Sequence, residues 1–312
     1  MRIFHNPNYD FVRWRYHALA FSAILIIAGL ATIVSKGGVP LGVDFSGGTV
    51  LTVQFDQPVA EDAVRAAVPN SKDASVQTMG KAADNKIMIR LPQMQELEEG
   101  ANLEKAANEV EAALKAANLG TFQIRSKESI GPVMGKDLRS KGIYATLASL
   151  GGILLYIWFR FRFSFALGAV VATFHDVIIT LIFLVWFGYD LSLNIVAAIL
   201  TITGYSVNDT IVIFDRVREN QRTAKRRPLS EIVNESVNQT LSRTIITAGM
   251  TFLAVIALYL FGGEVLRGLA FTLIVGIVFG TYSSVFVASA IAIIMSPKAG
   301  SEPQAPAKTR RA

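Results

Sequence analysis

Four ionisable residues lie where the surrounding sequence is apolar enough to cross a bilayer. Asp209 follows Asn208 inside GYSVNDTIVIFDR (204–216), Arg243 opens RTIITAGMTFLA, and His175 and Asp176 adjoin in TFHDVIIT (173–180). A carboxylate in hydrocarbon costs about 2.5 to 3.5 kcal/mol on insertion scales, so it needs a partner, a proton or a water-filled neighbourhood. The chemistry open to this set is reversible protonation: burial favours the neutral acid, a guanidinium favours the anion, and relative movement loads or releases a proton. Structural readings compete. Arg243 at the end of a span can snorkel to lipid phosphate, and Asp209 can be half of a static pair gluing two helices. His175 titrates near neutrality when unperturbed, which suits a relay, but a bond to a helix carbonyl serves equally.

Spacing ties these residues to helices. Thr201, Tyr205 and Asp209 recur every four positions, with Asn208 and Val212 extending the stripe, and Arg243, Thr247 and Thr251 do the same on the next helix. Thr173, Asp176 and Thr180 share a face of a third. Running outward to inward and back again brings Asp209 and Arg243 to similar depth, where they are expected to meet.

The elements that position them are membrane spans. Of 312 residues 52% are hydrophobic and 17% charged, and the apolar residues are gathered in blocks, the pattern of a polytopic membrane protein. Six blocks reach about 20 residues: 16–35, 139–158, 164–187, 191–214, 243–261 and 266–295. The first follows Arg13 and Arg15 but is too long for a signal-peptide core and lacks a small-x-small cleavage site, so a retained anchor is expected. Lys and Arg cluster before the first block, at Arg160 and Arg162, from Arg216 to Arg227, and in the tail. The turn at 188–190 has none, so both termini are expected in the cytoplasm, residues 1–15 and 296–312 among them. The net charge of +6 is thus read as orientation in the bilayer rather than nucleic-acid binding. Cysteine is absent, and the three His have no ligand spacing, so neither a metal nor another cofactor is expected.

Residues 36–138 fall outside as one soluble insertion. TVLTVQF (49–55), ASVQTM (74–79), KIMIRL (86–91) and TFQIRSKESI (121–130) read as strands, the middle two joined through the turn ADN. AEDAVRAAV (60–68) and the stretch 102–118 read as helices, with Gly120 placed to end the second. The order βαββαβ is that of a split βαβ, ferredoxin-like domain. No nucleophile, base or metal cluster stands out in it, which favours docking over catalysis. In the loop 216–242, Val233, Val237 and Leu241 form an apolar stripe behind Ser230, a candidate cap. It fits a helix along the inner membrane face or an extension of the fifth span. GIVFG in the last block puts Gly276 and Gly280 on a small-residue stripe with Thr272 and Ser284, suited to close helix packing.

GVDFSGG (42–48), FHD (174–176), GYSVNDTIVIFDRVREN (204–220), LSRTI (241–245), GGEVLRGLAF (262–271) and GTYSS (280–284) resemble the SecF family, the smaller membrane subunits of bacterial SecDF protein-export complexes. The resemblance runs from first block to last, with only the tail and the detail of the outer domain lacking a signature. It implies a six-span α-helical polytopic protein, half of a resistance-nodulation-division-like unit, plus an α+β ferredoxin-like extracytoplasmic domain, in the bacterial inner membrane. It implies SecD as partner and assistance to the SecYEG channel, with YajC and YidC as further candidates and exported polypeptide as cargo. It implies that the proton motive force drives export through Asp209 and Arg243; the residues themselves add Asn208, Asp176, His175, Tyr205 and Thr247 as candidates for a relay or polar support. It also makes Gly42, Asp44, Gly47 and Gly48 the junction between membrane and outer domain. From the residues alone, those glycines permit tight turns and Asp44 can cap one.

Two functions follow: an energy-coupled transport subunit, or a passive assembly subunit whose polar residues only bond it to its partner. An intramembrane hydrolase is disfavoured, since GxSxG, HExxH and paired catalytic Asp motifs are absent, and no enzyme activity is expected.

Overall fold

The computed structural model describes residues 7–68, 75–79, 84–91, 101–130, 132–223 and 227–296. Residues 297–312 of the expected tail, the first basic residue Arg2, and Lys225 and Arg226 lie outside them. The chain divides into two compact units, residues 1–37, 149–187 and 198–312 in one and 38–148 with 188–197 in the other.

The first unit is helical. A 3-10 turn, Val12–Trp14, leads into α1 (Arg15–Ser35). The short α2 (Val43–Ser46), α3 (Glu61–Ala67) and α4 (Ala101–Ala116) belong to the second unit. The chain returns through α5 (Pro132–Arg160), α6 (Phe163–Trp186), α7 (Leu193–Thr223), α8 (Leu229–Phe261) and α9 (Gly263–Tyr282). α9 continues through a π-helical turn, Ser283–Ala288, into α10 (Ser289–Ile294). Among the described residues, six helical segments are long and apolar enough to cross a membrane. α6, α7 and the last segment are the interior ones, while α1, α5 and α8 stay exposed along most of their length. Left-handed backbone stops two of them, at Gly37 after α1 and at Gly188 after α6, where φ is 78° and 74°.

Two expectations change here. The stretch 216–242 is mostly helix rather than loop, and of the two readings of its apolar stripe the extension of the fifth span is the one found: α7 runs on to Thr223 and α8 begins at Leu229, continuous with that span. The reason is packing. Val233 and Val237 are buried with Ile213, Phe214 and Val217 of α7 in the unit's main core, so the apolar stripe faces a helix instead of lipid. Asn220 Nδ2 donates to Ser236 Oγ (2.8 Å) and to Gln239 Oε1 (3.0 Å), closing the hairpin. Nor does Ser230 cap α8. Pro228 holds the N-cap position, and its carbonyl accepts from Glu231 N (3.1 Å) and Ile232 N (3.3 Å).

The second unit holds an antiparallel sheet in the order β2-β3-β1-β4, from β1 (Gly48–Phe55), β2 (Ser75–Met79), β3 (Lys86–Leu91) and β4 (Phe122–Ile130). α3 (Glu61–Ala67) and α4 (Ala101–Ala116) make the two crossovers, giving the split βαβ order. Alternation decides the face: Leu51, Val53 and Phe55 of β1 and Ile87 and Ile89 of β3 meet Val64 of α3 and Val110 and Leu114 of α4. After α4, Asn118 and Gly120 take positive φ. Thr78 N–H donates to Glu61 Oε1 at 2.7 Å, and the Thr78 side chain and backbone, with Arg65 adding charge, hold the Glu61 carboxyl below its ordinary value.

Candidate functional site

The two buried aspartates of the helical unit are in opposite situations. Asp176, on α6, is saturated. Its Oδ2 accepts from Ser206 Oγ of α7 (2.5 Å) and Ser283 Oγ of the π turn (2.9 Å), and its Oδ1 faces His175 Nδ1 at 3.0 Å. The chain of bonds goes on: His175 Nε2 lies 3.0 Å from Ser22 Oγ of α1, Ser22 lies 3.3 Å from the Tyr282 hydroxyl, and Tyr282 donates to Ala18 O at 2.7 Å. His175 therefore bonds to side chains on both nitrogens and to no helix carbonyl. One network ties α1, α6, α7 and the π turn together. A π turn carries one extra residue, which shifts side-chain phase, and here it presents Ser283 to Asp176 and Ser284 to Thr210 Oγ1 of α7 (2.8 Å).

Asp209, on α7, is the contrast. It is 4% exposed, yet its Oδ2 is buried without a hydrogen-bond partner among the described residues. Arg243 of α8 lies within electrostatic reach of it. The expected meeting is not made: no hydrogen bond or ion pair joins the two among the described residues, and Arg243 is exposed. One turn before Asp209, the Tyr205 hydroxyl is also buried and unpartnered. Asn208 and Thr247 are exposed, Thr247 donating only to Arg243 O (3.0 Å) and Thr244 O (3.1 Å) of its own helix. The stripe expected on α7 is thus split, with Asp209 turned inward and Asn208 outward.

Packing brings the helices this close because the last segment is smooth. A Cβ on Gly276 would lie 2.2 Å from Ile202 Cγ1, and one on Gly280 would lie 2.9 Å from Ser206 Cβ. In the second unit, Gly42 N–H donates to Leu191 O (2.7 Å) and Leu191 N–H to Pro40 O (2.8 Å). Gly47 and Gly48 take φ of 72° and 115°, which only glycine adopts without strain. Asp44 caps no turn of its own. Its Oδ2 accepts from Leu193 N–H at 2.7 Å, setting a carboxylate on the first residue of α7, where the helix dipole favours it. Arg90 pairs with Asp190 and donates to Leu41 O (3.1 Å), bracing the same segment.

Residues 109–298 match the family described as protein export membrane protein SecD/SecF, C-terminal, and residues 33–59 match the SecD/SecF GG motif. A SecF protein translocase subunit of Rhodothermus marinus is 43% identical, over 96% of this chain and 97% of its own. The Escherichia coli O157:H7 subunit of the same description is 41% identical over 93% of this chain and 88% of its own. The chain belongs to the SecF family. Its fold matches the crystal structure of SecDF, a translocon-associated membrane protein from Thermus thermophilus, with a TM-score of 0.81 at 33% identity. That match covers 93% of this chain and 39% of the SecDF chain. A SecDF structure in a super-membrane-facing form gives 0.66 at 35% identity.

In this SecF-family chain, sequence reasoning pointed to Asp176 and His175 but missed the shell that holds them: Ser22, Ser206, Tyr282 and Ser283. A signal existed for one. Ser22 is the only side-chain hydroxyl between Tyr16 and Thr32 of the first span, in AFSAIL, and a lone polar residue in an apolar helix needs a bond. The GG motif match contains Gly42, Asp44, Gly47 and Gly48, but the partner of Asp44, 149 residues away, has no trace in local sequence.

Proposed function

We propose that this SecF-family chain acts with SecD in the bacterial inner membrane as a proton-coupled subunit that assists polypeptide export through SecYEG, without enzyme activity. Asp209 is the proton-binding carboxyl and Arg243 biases its charge. The observation that carries this is the orphaned Asp209 Oδ2, set beside a saturated Asp176. A structural carboxylate in a bundle collects donors, as Asp176 does. One that must gain and lose a proton needs an unbonded oxygen and a neighbouring charge that can approach or withdraw.

The lone chain also leaves Asn208, Arg243 and Thr247 exposed on α7 and α8. Polar side chains on spans are costly against lipid. We infer that SecD covers this face and completes the site, so that two six-span halves form a resistance-nodulation-division-like unit. The basic inner loops support cytoplasmic termini. A proton crossing 100 mV supplies about 2.3 kcal/mol, whereas moving a two-state equilibrium from 1:99 to 99:1 takes about 5.5 kcal/mol. Export is therefore driven by repeated small biases.

The test is polypeptide export in vesicles carrying this chain with SecD and SecYEG under an imposed proton gradient. Asp209→Asn should abolish the gradient-dependent part while the complex with SecD stays intact. Full gradient-dependent export by that variant favours the passive assembly reading and overturns this one.

A further inference from the structure

Apart from the aspartates, one cavity stands out by its chemistry. A pocket of about 570 Å³ is lined by Arg160, Arg162, Arg218 and Arg222 over a floor that includes Phe161, Phe165 and Phe214, with Gln221 the remaining lining residue. No acid lines it. Asp215, just outside, bonds Arg160 Nη2 through Oδ1 at 2.7 Å. Arg162, Arg218 and Arg222 are exposed and have no hydrogen bond or ion pair to a described residue. The basic groove nearby, lined by Arg13, Arg15, Arg216 and Arg227, differs in that Asp10, Glu231 and Glu235 line it too.

Location names the ligand. Arg160 ends α5 and Arg162 holds the N-cap position of α6, so the two flank Phe161 where consecutive spans join. α7 has 31 residues, about 46 Å at 1.5 Å per residue, against about 30 Å of hydrocarbon. Arg218 and Arg222, four residues apart on one face near its end, therefore stand past the hydrocarbon, on the polar side of the span. The aromatic floor is packed together: Phe214 lies edge-on against Phe161 (5.8 Å) and Phe165 (5.0 Å). The Arg160 guanidinium lies 5.2 Å over the Phe161 ring.

We propose that this pocket is a specific site for the phosphate of an anionic phospholipid from the surrounding leaflet. Arg162, Arg218 and Arg222 grip the phosphodiester oxygens, and the phenylalanine floor receives the glycerol and the first methylenes. Guanidinium forks suit phosphate bidentately, and a loose cluster of solvated arginines would need no apolar floor. Occupation would pin the α5–α6 turn to the end of α7, and so fix the inner end of the helix that carries Asp209.

The test is native mass spectrometry of the full chain released from mixed micelles of phosphatidylglycerol and phosphatidylethanolamine in equal amounts. The expected result is preferential retention of phosphatidylglycerol, reduced about fivefold by Arg162→Gln and tenfold or more by Arg218→Gln/Arg222→Gln. Arg218→Lys/Arg222→Lys should keep the charge attraction and recover part of the preference, and Arg13→Gln in the other groove should leave it unchanged. Equal retention of both lipids, or an undiminished preference in the glutamine variants, overturns the proposal. Displacement of the lipid by millimolar inorganic phosphate overturns it as well, since the ligand would then be the free anion.

Discussion

Replacing each buried aspartate by alanine distinguishes the carboxyl that is saturated with donors from the one that is not. Asp176→Ala removes the acceptor of three bonds, from His175 Nδ1, Ser206 Oγ and Ser283 Oγ. Both serines have a fallback in Gly280 O, at 3.4 and 3.1 Å, so their loss is partial. The histidine has none. At about 1 to 3 kcal/mol for each buried polar group left short of a partner, the total is roughly 3 to 5 kcal/mol. Asp209→Ala breaks no hydrogen bond of Oδ2 and removes a carboxyl from a buried position, so it should stay within about 1 kcal/mol of wild type. The gap is at least about 2 kcal/mol, roughly thirtyfold in the unfolding equilibrium. It is measurable as a shift in midpoint when the purified chain, in micelles, is unfolded and followed by circular dichroism. Asp176→Asn should recover most of the loss, because an amide oxygen still accepts from both serines and its NH₂ can donate to the other tautomer of His175. Equal destabilisation by the two alanine variants, or a larger effect at Asp209, would refute the distinction between saturated and orphaned carboxyl on which the functional reading stands.

Asp44→Ala should cost the start of α7 about 1 kcal/mol, seen as roughly fivefold faster hydrogen exchange at the Leu193 amide, with Asp44→Asn near wild type. Gly276→Val would drive a side chain into Ile202, where even a Cβ lies 2.2 Å from Cγ1, costing about 1 to 3 kcal/mol of stability in the same unfolding assay. Because the Glu61 carboxyl is held below its ordinary value, its bond to Thr78 adds stability that is complete above that ordinary value and lost as pH falls through the lowered one. Glu61→Gln should accordingly lower Thr78 amide protection at neutral pH, and the difference from wild type should close under acid.

Long apolar blocks and period-two strands were legible because each is decided within one element. The six spans and the order βαββαβ follow from hydropathy and alternation, and the sheet pairs as that order requires. Span ends were less legible. Polar residues after 214 read as loop, but nothing local tells a solvated helix from a turn. The buried Val233 and Val237 settle it through their packing on α7. The site was legible as to which residues are unusual, since an Asp among apolar residues is costly wherever it points. It was not legible as to partners. Whether Asp176 or Asp209 gathers the serines depends on a few tens of degrees of helix rotation and on a π turn whose extra residue resets the phase after Tyr282. The same limit hid the capping of Leu193 by Asp44, a contact made by folding rather than by spacing.

The most direct measurement is infrared difference spectroscopy of the Asp209 carbonyl in vesicles holding this chain with SecD, recorded while the proton gradient is imposed and then reversed. A protonated-acid band that grows in one direction, fades in the other and is missing from Asp209→Asn is the expected result. A band that stays constant in both directions, in vesicles that continue to export polypeptide, would contradict the claim that Asp209 carries the coupling proton.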